Sequence, residues 1–278
     1  MLAEVAAVAG ASHDPRVLPF ALALLSISIA LYSRWIGPLR SEGGRVAQGH
    51  FGPVDLVVSL LLGTYFIATA WVNFRAPSKG KEITLNLLVA STVLELLLIA
   101  FLCGILAIRR KNLSQLFGLR AVPPLQIFGR AALFLLAALP GVIALTGLFS
   151  LFNPDPEEQE IVMFFRDHVK HLDLPAVIAV VVTACLVAPM VEELVFRGYL
   201  YPTLKRYLGP VASAILVSAL FAAVHANLSS SLGLFALALC LTAVYEKTGS
   251  LLVSMAMHAF FNTLSLVIMG WQMTHSAP

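Results

Sequence analysis

Six polar side chains between positions 192 and 262 are of types that together could hydrolyse an amide. Glu192, Glu193 and Arg197 stand in "EELVFR", His225 ends "FAAVH", and His258 and Asn262 bracket "HAFFN". A carboxylate beside an imidazole can hold and deprotonate a water, and further N–H donors can take up a developing oxyanion. On a helix, Glu193 and Arg197 are four apart with the carboxylate N-terminal, a spacing that favours an ion pair. Glu192 is turned about 100° from its neighbour, so one carboxylate can be tied down while the other points elsewhere. His258 and Asn262 are also four apart and project into one space. Each piece alone has a plainer reading: a single membrane histidine as an interhelical hydrogen-bonding group, an adjacent glutamate pair as a solvated helix end. Gathered on three nearly uncharged segments, they point to catalysis.

The elements that must position these groups are set by composition. Of 278 residues, 59% are apolar and only 12% charged, with a mean hydropathy of +0.88. A soluble domain carries about 45–50% apolar and about 25% charged residues. This chain cannot cover a water-facing surface, which excludes a soluble enzyme, a nucleic-acid binder and a disordered scaffold. The net charge of +3 is too small to imply a polyanionic partner. The expected fold class is all-α, a polytopic membrane protein with its catalytic cavity between the C-terminal helices. Eight apolar segments approach the roughly 20 residues a helix needs to cross a bilayer. They run over Val17–Tyr32, Val54–Trp71, Thr84–Ile108, Leu125–Leu151, Leu174–Met190, Val211–Ala226, Leu228–Tyr245 and Leu251–Met269. Three divisions follow: 1–173 with four spans and an acidic loop, 174–270 as the protease-like core, and 271–278 as a tail.

The N-terminal stretch has no basic residue before the first apolar run, and "AVAGAS" precedes that run, so a cleavable signal is not expected. Cys103, Cys185 and Cys240 each sit inside an apolar run and read as packing residues. With alternating spans, twelve Lys and Arg fall on one side and six on the other. The positive-inside rule then puts both termini outside and the loop after Arg197 in the cytoplasm. Asp55, at the edge of the second span, is expected to reach headgroups. Glu95, in the middle of the third, is expected to pair with a cation or to remain protonated. The segment Asn153–Asp173 reads as a solvated connection ahead of an interfacial helix, with His168 and His171 on its surface.

At "EELVFR", "FAAVH" and "HAFFN", patterns EExxxR, FxxxH and HxxxN in that order, the sequence resembles the intramembrane CAAX-protease and bacteriocin-processing family. That family includes the type II, Ras-converting CAAX prenyl endopeptidases. The resemblance spans roughly Leu174 to Met269 and leaves the first four spans unassigned. It implies a mostly eight-helix protein with a cavity open to the cytoplasm. It further implies Glu192 and His225 as the groups activating water, His258 and Asn262 as the oxyanion site, and Glu193 with Arg197 as the supporting pair.

No cofactor is favoured. Glu192, His225 and His258 could alternatively supply a carboxylate and two imidazoles to Zn2+. The chain lacks HExxH, however, and an amide such as Asn262 is a poor zinc ligand but a good oxyanion donor. The expected partners are a membrane-associated peptide or protein substrate and the lipid bilayer, with no nucleic acid. Two other functions fit the composition. One is a non-proteolytic membrane scaffold or immunity-type partner of the same fold. The other, a proton-coupled transporter, calls for repeats and broken helices in both halves, whereas here the polar residues crowd into one. The bacterial inner membrane is the expected location.

Overall fold

The computed structural model describes residues 17–42, 44–75, 84–109, 111–150 and 160–275. The expectations for the termini and for most of the acidic loop lie outside them. Among the described residues there is no strand. The protein is an all-α polytopic membrane protein. Helices α1 (Val17–Glu42), α2 (Pro53–Arg75) and α3 (Leu85–Ile108) are followed by a single turn, α4 (Leu113–Leu116). Then come α5 (Pro124–Ser150), α6 (Glu160–Lys170), the composite α7 (Leu174–Leu208), α8 (Pro210–Val224), α9 (Ser231–Thr248) and α10 (Leu251–His275).

Among the described residues, six helical stretches are long and apolar enough to cross a membrane: Pro53–Arg75, Leu85–Ile108, Pro124–Phe149, Leu174–Leu208, Leu228–Thr248 and Leu251–Met273. The apolar part of α1, Leu18–Arg34, and the 15-residue α8 are shorter. A helix of 15 residues rises only about 22 Å, short of a core of about 30 Å. Among the described residues, length alone thus supports six of the about eight crossings expected from the sequence. α5, α9 and α10 form the centre, with Val142, Leu237, Leu241, Val253 and Met257 buried between them. α2 and α3 lie outside this centre and present many apolar side chains outward, such as Leu61, Ile67, Leu94 and Phe101, as lipid-facing helices do.

Two turns hold α10 in place. Gly249 caps α9 in the left-handed region at φ +67, its N–H reaching the Tyr245 carbonyl at 2.7 Å. Gly118, at φ +59, lies so near the Gly249 carbonyl that a Cβ there would overlap it. The Leu251 N–H then bonds the Phe117 carbonyl at 3.0 Å.

Buried charges fasten the segment after α1 to this bundle. Glu246 accepts from Lys205 Nζ at 2.5 Å, Tyr201 Oη at 2.7 Å and the Val46 N–H at 3.1 Å. Lys205 also donates to the Val46 carbonyl at 3.0 Å. Asp55 corrects the expectation of a headgroup-facing residue. It is fully buried and takes bonds from the Gly52 N–H at 2.6 Å, Tyr199 Oη at 3.1 Å and the Arg109 guanidinium. A carboxylate that early in a helix is satisfied by capping its own first turn, and Arg109 and Tyr199 then enclose it.

The segment after the acidic loop also departs from a solvated connection. α6 is amphipathic, and Val162, Phe164 and Phe165 are buried against Leu88, Ala176, Val180 and Met269. His171 is exposed, whereas His168 is half-buried, with its ring 3.9 Å from that of Phe164.

Removing one partner from a buried pair leaves an uncompensated charge, at a cost of about 3–5 kcal/mol. Lys205→Ala is therefore expected to lower thermal stability in detergent by that amount and to open the 44–52 segment to proteolysis. Arg130→Ala, which disturbs only an exposed bond to Gln126, is the control and should melt like the parent.

Candidate active site

α7 owes its shape to two prolines. Pro189 and Pro202 each lack the N–H that would bond four residues back. Ahead of each, the helix widens into a π-turn, at Thr183–Val187 and Leu194–Leu200. The Ala188 N–H bonds the Thr183 carbonyl and the Tyr201 N–H the Phe196 carbonyl, both five residues back. Between the two widenings lies the short α-helical piece Ala188–Glu193 that carries both glutamates.

Antiparallel packing brings the motif residues to one depth. Glu192 precedes Leu208 by sixteen residues and His225 follows Pro210 by fifteen. At about 1.5 Å per residue, both lie about 22–24 Å from the turn at Gly209. His225 ends α8, and the chain turns away at Ala226, whose φ of 47 is left-handed without being glycine. Asn227 caps the next turn by accepting from the Ser230 N–H at 2.9 Å.

Glu193 is the fixed point. Its side chain has no exposed surface, and three donors surround it. Arg197 Nη1 donates to Oε1 at 2.8 Å, Ser254 Oγ to Oε2 at 2.6 Å, and His258 Nδ1 to Oε1 at 3.1 Å. Arg197, itself fully buried, also donates to the Ala238 carbonyl at 3.1 Å, and its guanidinium lies 4.6 Å from the Phe221 ring. Phe221 further packs its ring 4.7 Å from that of His225 and 5.7 Å from that of His258. The phenylalanine of FxxxH thus walls in three of the polar groups.

Glu192 points elsewhere, as the helical spacing requires. Its Oε2 lies 4.0 Å from His225 Nε2 and 3.8 Å from His258 Nε2, and the residue is about a quarter exposed. That oxygen is buried and has no hydrogen-bond partner. The other nitrogen of each imidazole is spoken for. His225 Nδ1 is 2.7 Å from the Phe221 carbonyl and His258 Nδ1 faces the Glu193 carboxylate. Both partners only accept, so each Nδ1 carries a proton and each Nε2 turns to Glu192.

Asn262 is placed differently. Its Nδ2 donates to the Ala184 carbonyl at 2.7 Å, within the first π-turn. One amide N–H is thus engaged, leaving the second to meet a ligand. Among the described residues, no group of three His, Cys, Asp or Glu side chains is placed to hold a metal ion as it stands. A tetrahedral zinc with bonds of about 2.0 Å would draw Glu192 and the two Nε2 atoms to within roughly 3.3 Å of one another.

Ser254 was not singled out from the sequence. Its signal is there: it precedes His258 by one turn, giving Ser254, His258 and Asn262 a common stripe of α10.

Residues 174–264 match the family model of type II CAAX prenyl endopeptidase Rce1-like proteins. The resemblance carried by the three motifs is borne out over that segment, which holds every side chain just described. A curated relative, the UPF0177 protein YvdC of Lactococcus lactis subsp. lactis (strain IL1403), is 28% identical over 177 residues. The aligned region covers 62% of this chain and 62% of that relative, so the chain spans less than two thirds of its length. No solved structure matches the chain significantly.

Two substitutions separate the parts of the network. Arg197→Ala strands Glu193 as a buried charge and should cost about 3–5 kcal/mol, seen as lower membrane abundance and melting temperature. Ser254→Ala removes one neutral donor from the same carboxylate and should cost about 1.5–3 kcal/mol in the same melts. Equal melting of both variants and the parent would remove the anchoring role given to Glu193.

Proposed function

We propose that the chain is an intramembrane endopeptidase that hydrolyses a peptide bond near a membrane-anchored or CAAX-like C-terminus. The observation that carries this reading is the convergence of Glu192, His225 and His258 from three helices on one partnerless carboxylate oxygen. Residues 174–270 form the catalytic core. Glu192 is the general base. A water between Glu192 Oε2 and His225 Nε2 donates to both, and its lone pair attacks the scissile carbonyl as Glu192 takes its proton.

The oxyanion that develops needs donors aimed at it. Asn262 supplies its free amide N–H. His258 supplies Nε2–H in its doubly protonated form, with Nδ1–H held by the Glu193 carboxylate. The supporting pair thereby acts on catalysis through His258 rather than on the substrate. No metal is required in this scheme. The alternative, Zn2+ held by Glu192, His225 and His258, predicts a different response to chelation. The substrate is a membrane-associated peptide or protein. Basic side chains at the Lys205–Arg206 end of α7 favour a cytoplasmic opening in a bacterial inner membrane.

A scaffold of the same fold would not need a base with a partnerless oxygen beside two imidazoles. Terminal proteomics of membranes carrying the parent or Glu192→Gln therefore tests the reading directly. New protein termini that appear with the parent and vanish with Glu192→Gln are expected, at equal abundance of the two proteins. Identical termini in both would refute the endopeptidase. With the peptide so found, Asn262→Ala should lower turnover by roughly a hundredfold to a thousandfold while leaving KM little changed. A strong chelator should leave the activity intact. Loss on chelation and recovery on adding zinc would reassign His225 and His258 as ligands.

A further inference from the structure

Buried carboxylates in this protein are given cations. Asp55 has Arg109, Glu193 has Arg197 and Glu246 has Lys205. Two carboxyls break the pattern. Glu192 Oε2 and Glu95 Oε2 are both buried, and neither has a hydrogen-bond partner. They belong to adjoining helices. α3 packs along the first half of α7, and Thr92 Oγ1 meets Thr183 Oγ1 across that contact at 3.2 Å. Glu95 follows Thr92 by three residues, on the same face of α3. The face of α3 that carries it packs against the Ala188–Glu193 piece of α7 that holds Glu192.

Charge balance then distinguishes the two. Arg197 offsets Glu193, and the imidazoles of His225 and His258 face Glu192. Among the described residues, no basic side chain pairs with Glu95. An unpaired carboxylate in a membrane interior costs several kcal/mol, and a neutral acid avoids that cost. Two carboxyls on adjoining helices, one ionised and one protonated, constitute a base and an acid.

We infer that Glu95 is a further catalytic residue, the general acid that protonates the leaving amine in the reaction proposed above. As the new C–O bond forms, Glu192 takes one proton from water and the hydroxyl oxygen joins the carbonyl carbon. As the C–N bond breaks, Glu95 gives its proton to the departing nitrogen. The proton on Glu192 then passes through water to Glu95, and the pair ends as it began. One water is consumed, and the products are a carboxylic acid and an amine. The inference rests on the endopeptidase reading and gives the N-terminal half of the chain a share in the chemistry.

The test uses the full-length chain in lipid nanodiscs and two versions of the substrate peptide identified above. One carries the scissile amide and the other a thioester in its place. A thiolate leaves without a proton, so the thioester needs the base but not the acid. Glu95→Gln should lower amide cleavage by about a hundredfold or more, with thioester cleavage little changed. Glu95→Leu, suited to an apolar helix, should give the same split and guards against a folding defect in the first variant. Equal loss on both peptides, or loss on neither, would overturn the assignment. Glu192→Gln should abolish cleavage of both; if it does not, the endopeptidase reading itself fails, independently of Glu95.

Discussion

Everything in the C-terminal half is arranged around one buried anion. Glu193 lies in a helix that crosses the membrane, where a bare carboxylate could not persist. It is kept by a guanidinium one turn along the same helix and by a hydroxyl and an imidazole from α10. These bonds do more than neutralise a charge. Each comes from a different direction, so together they fix the rotation of α7 and the register of α10 against it. With both carboxylate oxygens of Glu193 engaged, the network favours one packing.

That fixed rotation aims the neighbouring side chain. Because Glu192 is one residue before a position already committed to one helix face, it points about 100° away. There it meets Nε2 of His225 and of His258 at 4.0 and 3.8 Å. The protonation of each ring follows from the same geometry, since Nδ1 faces an acceptor in both cases. Phe221 closes the arrangement by packing on Arg197, His225 and His258, covering the polar groups with an aromatic face. The prolines of α7 contribute by widening the helix on either side of the glutamates. One of those widenings exposes the Ala184 carbonyl that binds Asn262.

The periphery is held by the same logic applied twice more. Glu246 with Lys205 fastens the segment after α1 onto the ends of α7 and α9, and Asp55 ties the start of α2 to the end of α3 through Arg109 and to α7 through Tyr199. The two pairs span 41 and 54 positions, and the bond from the Val46 N–H to Glu246 spans 200. α2 and α3 otherwise meet lipid along much of their length. The match to the Rce1-like family covers residues 174–264 and so contains the Glu193 network. Glu95, on α3, lies outside it.

Much of this was legible in the sequence, because the bilayer makes composition decisive. A chain with 12% charged residues can only be a membrane protein, and backbone polar groups in lipid must be satisfied within helices. The spacing of Glu193 and Arg197 foretold their pairing, and that of His258 and Asn262 their shared face, since helical neighbours are set by local geometry alone. The helix ends near Ile108, Leu174 and Leu251 were legible for the same reason. What sequence could not decide were distances between helices. Asp55 read as an interfacial residue because its partners, Arg109 and Tyr199, are 54 and 144 positions away. Ser254 was passed over because a serine in an apolar helix has no meaning until a buried carboxylate is found opposite it. The reach of Asn262 to Ala184 depends on a π-turn that a proline permits but does not by itself locate. α8 read as a crossing because it is apolar, yet its 15 residues end at His225 inside the bundle. Local hydrogen bonding and solvent preference write themselves into nearby residues; which helix stands opposite which is a property of the packed bundle, and only the tertiary structure carries it.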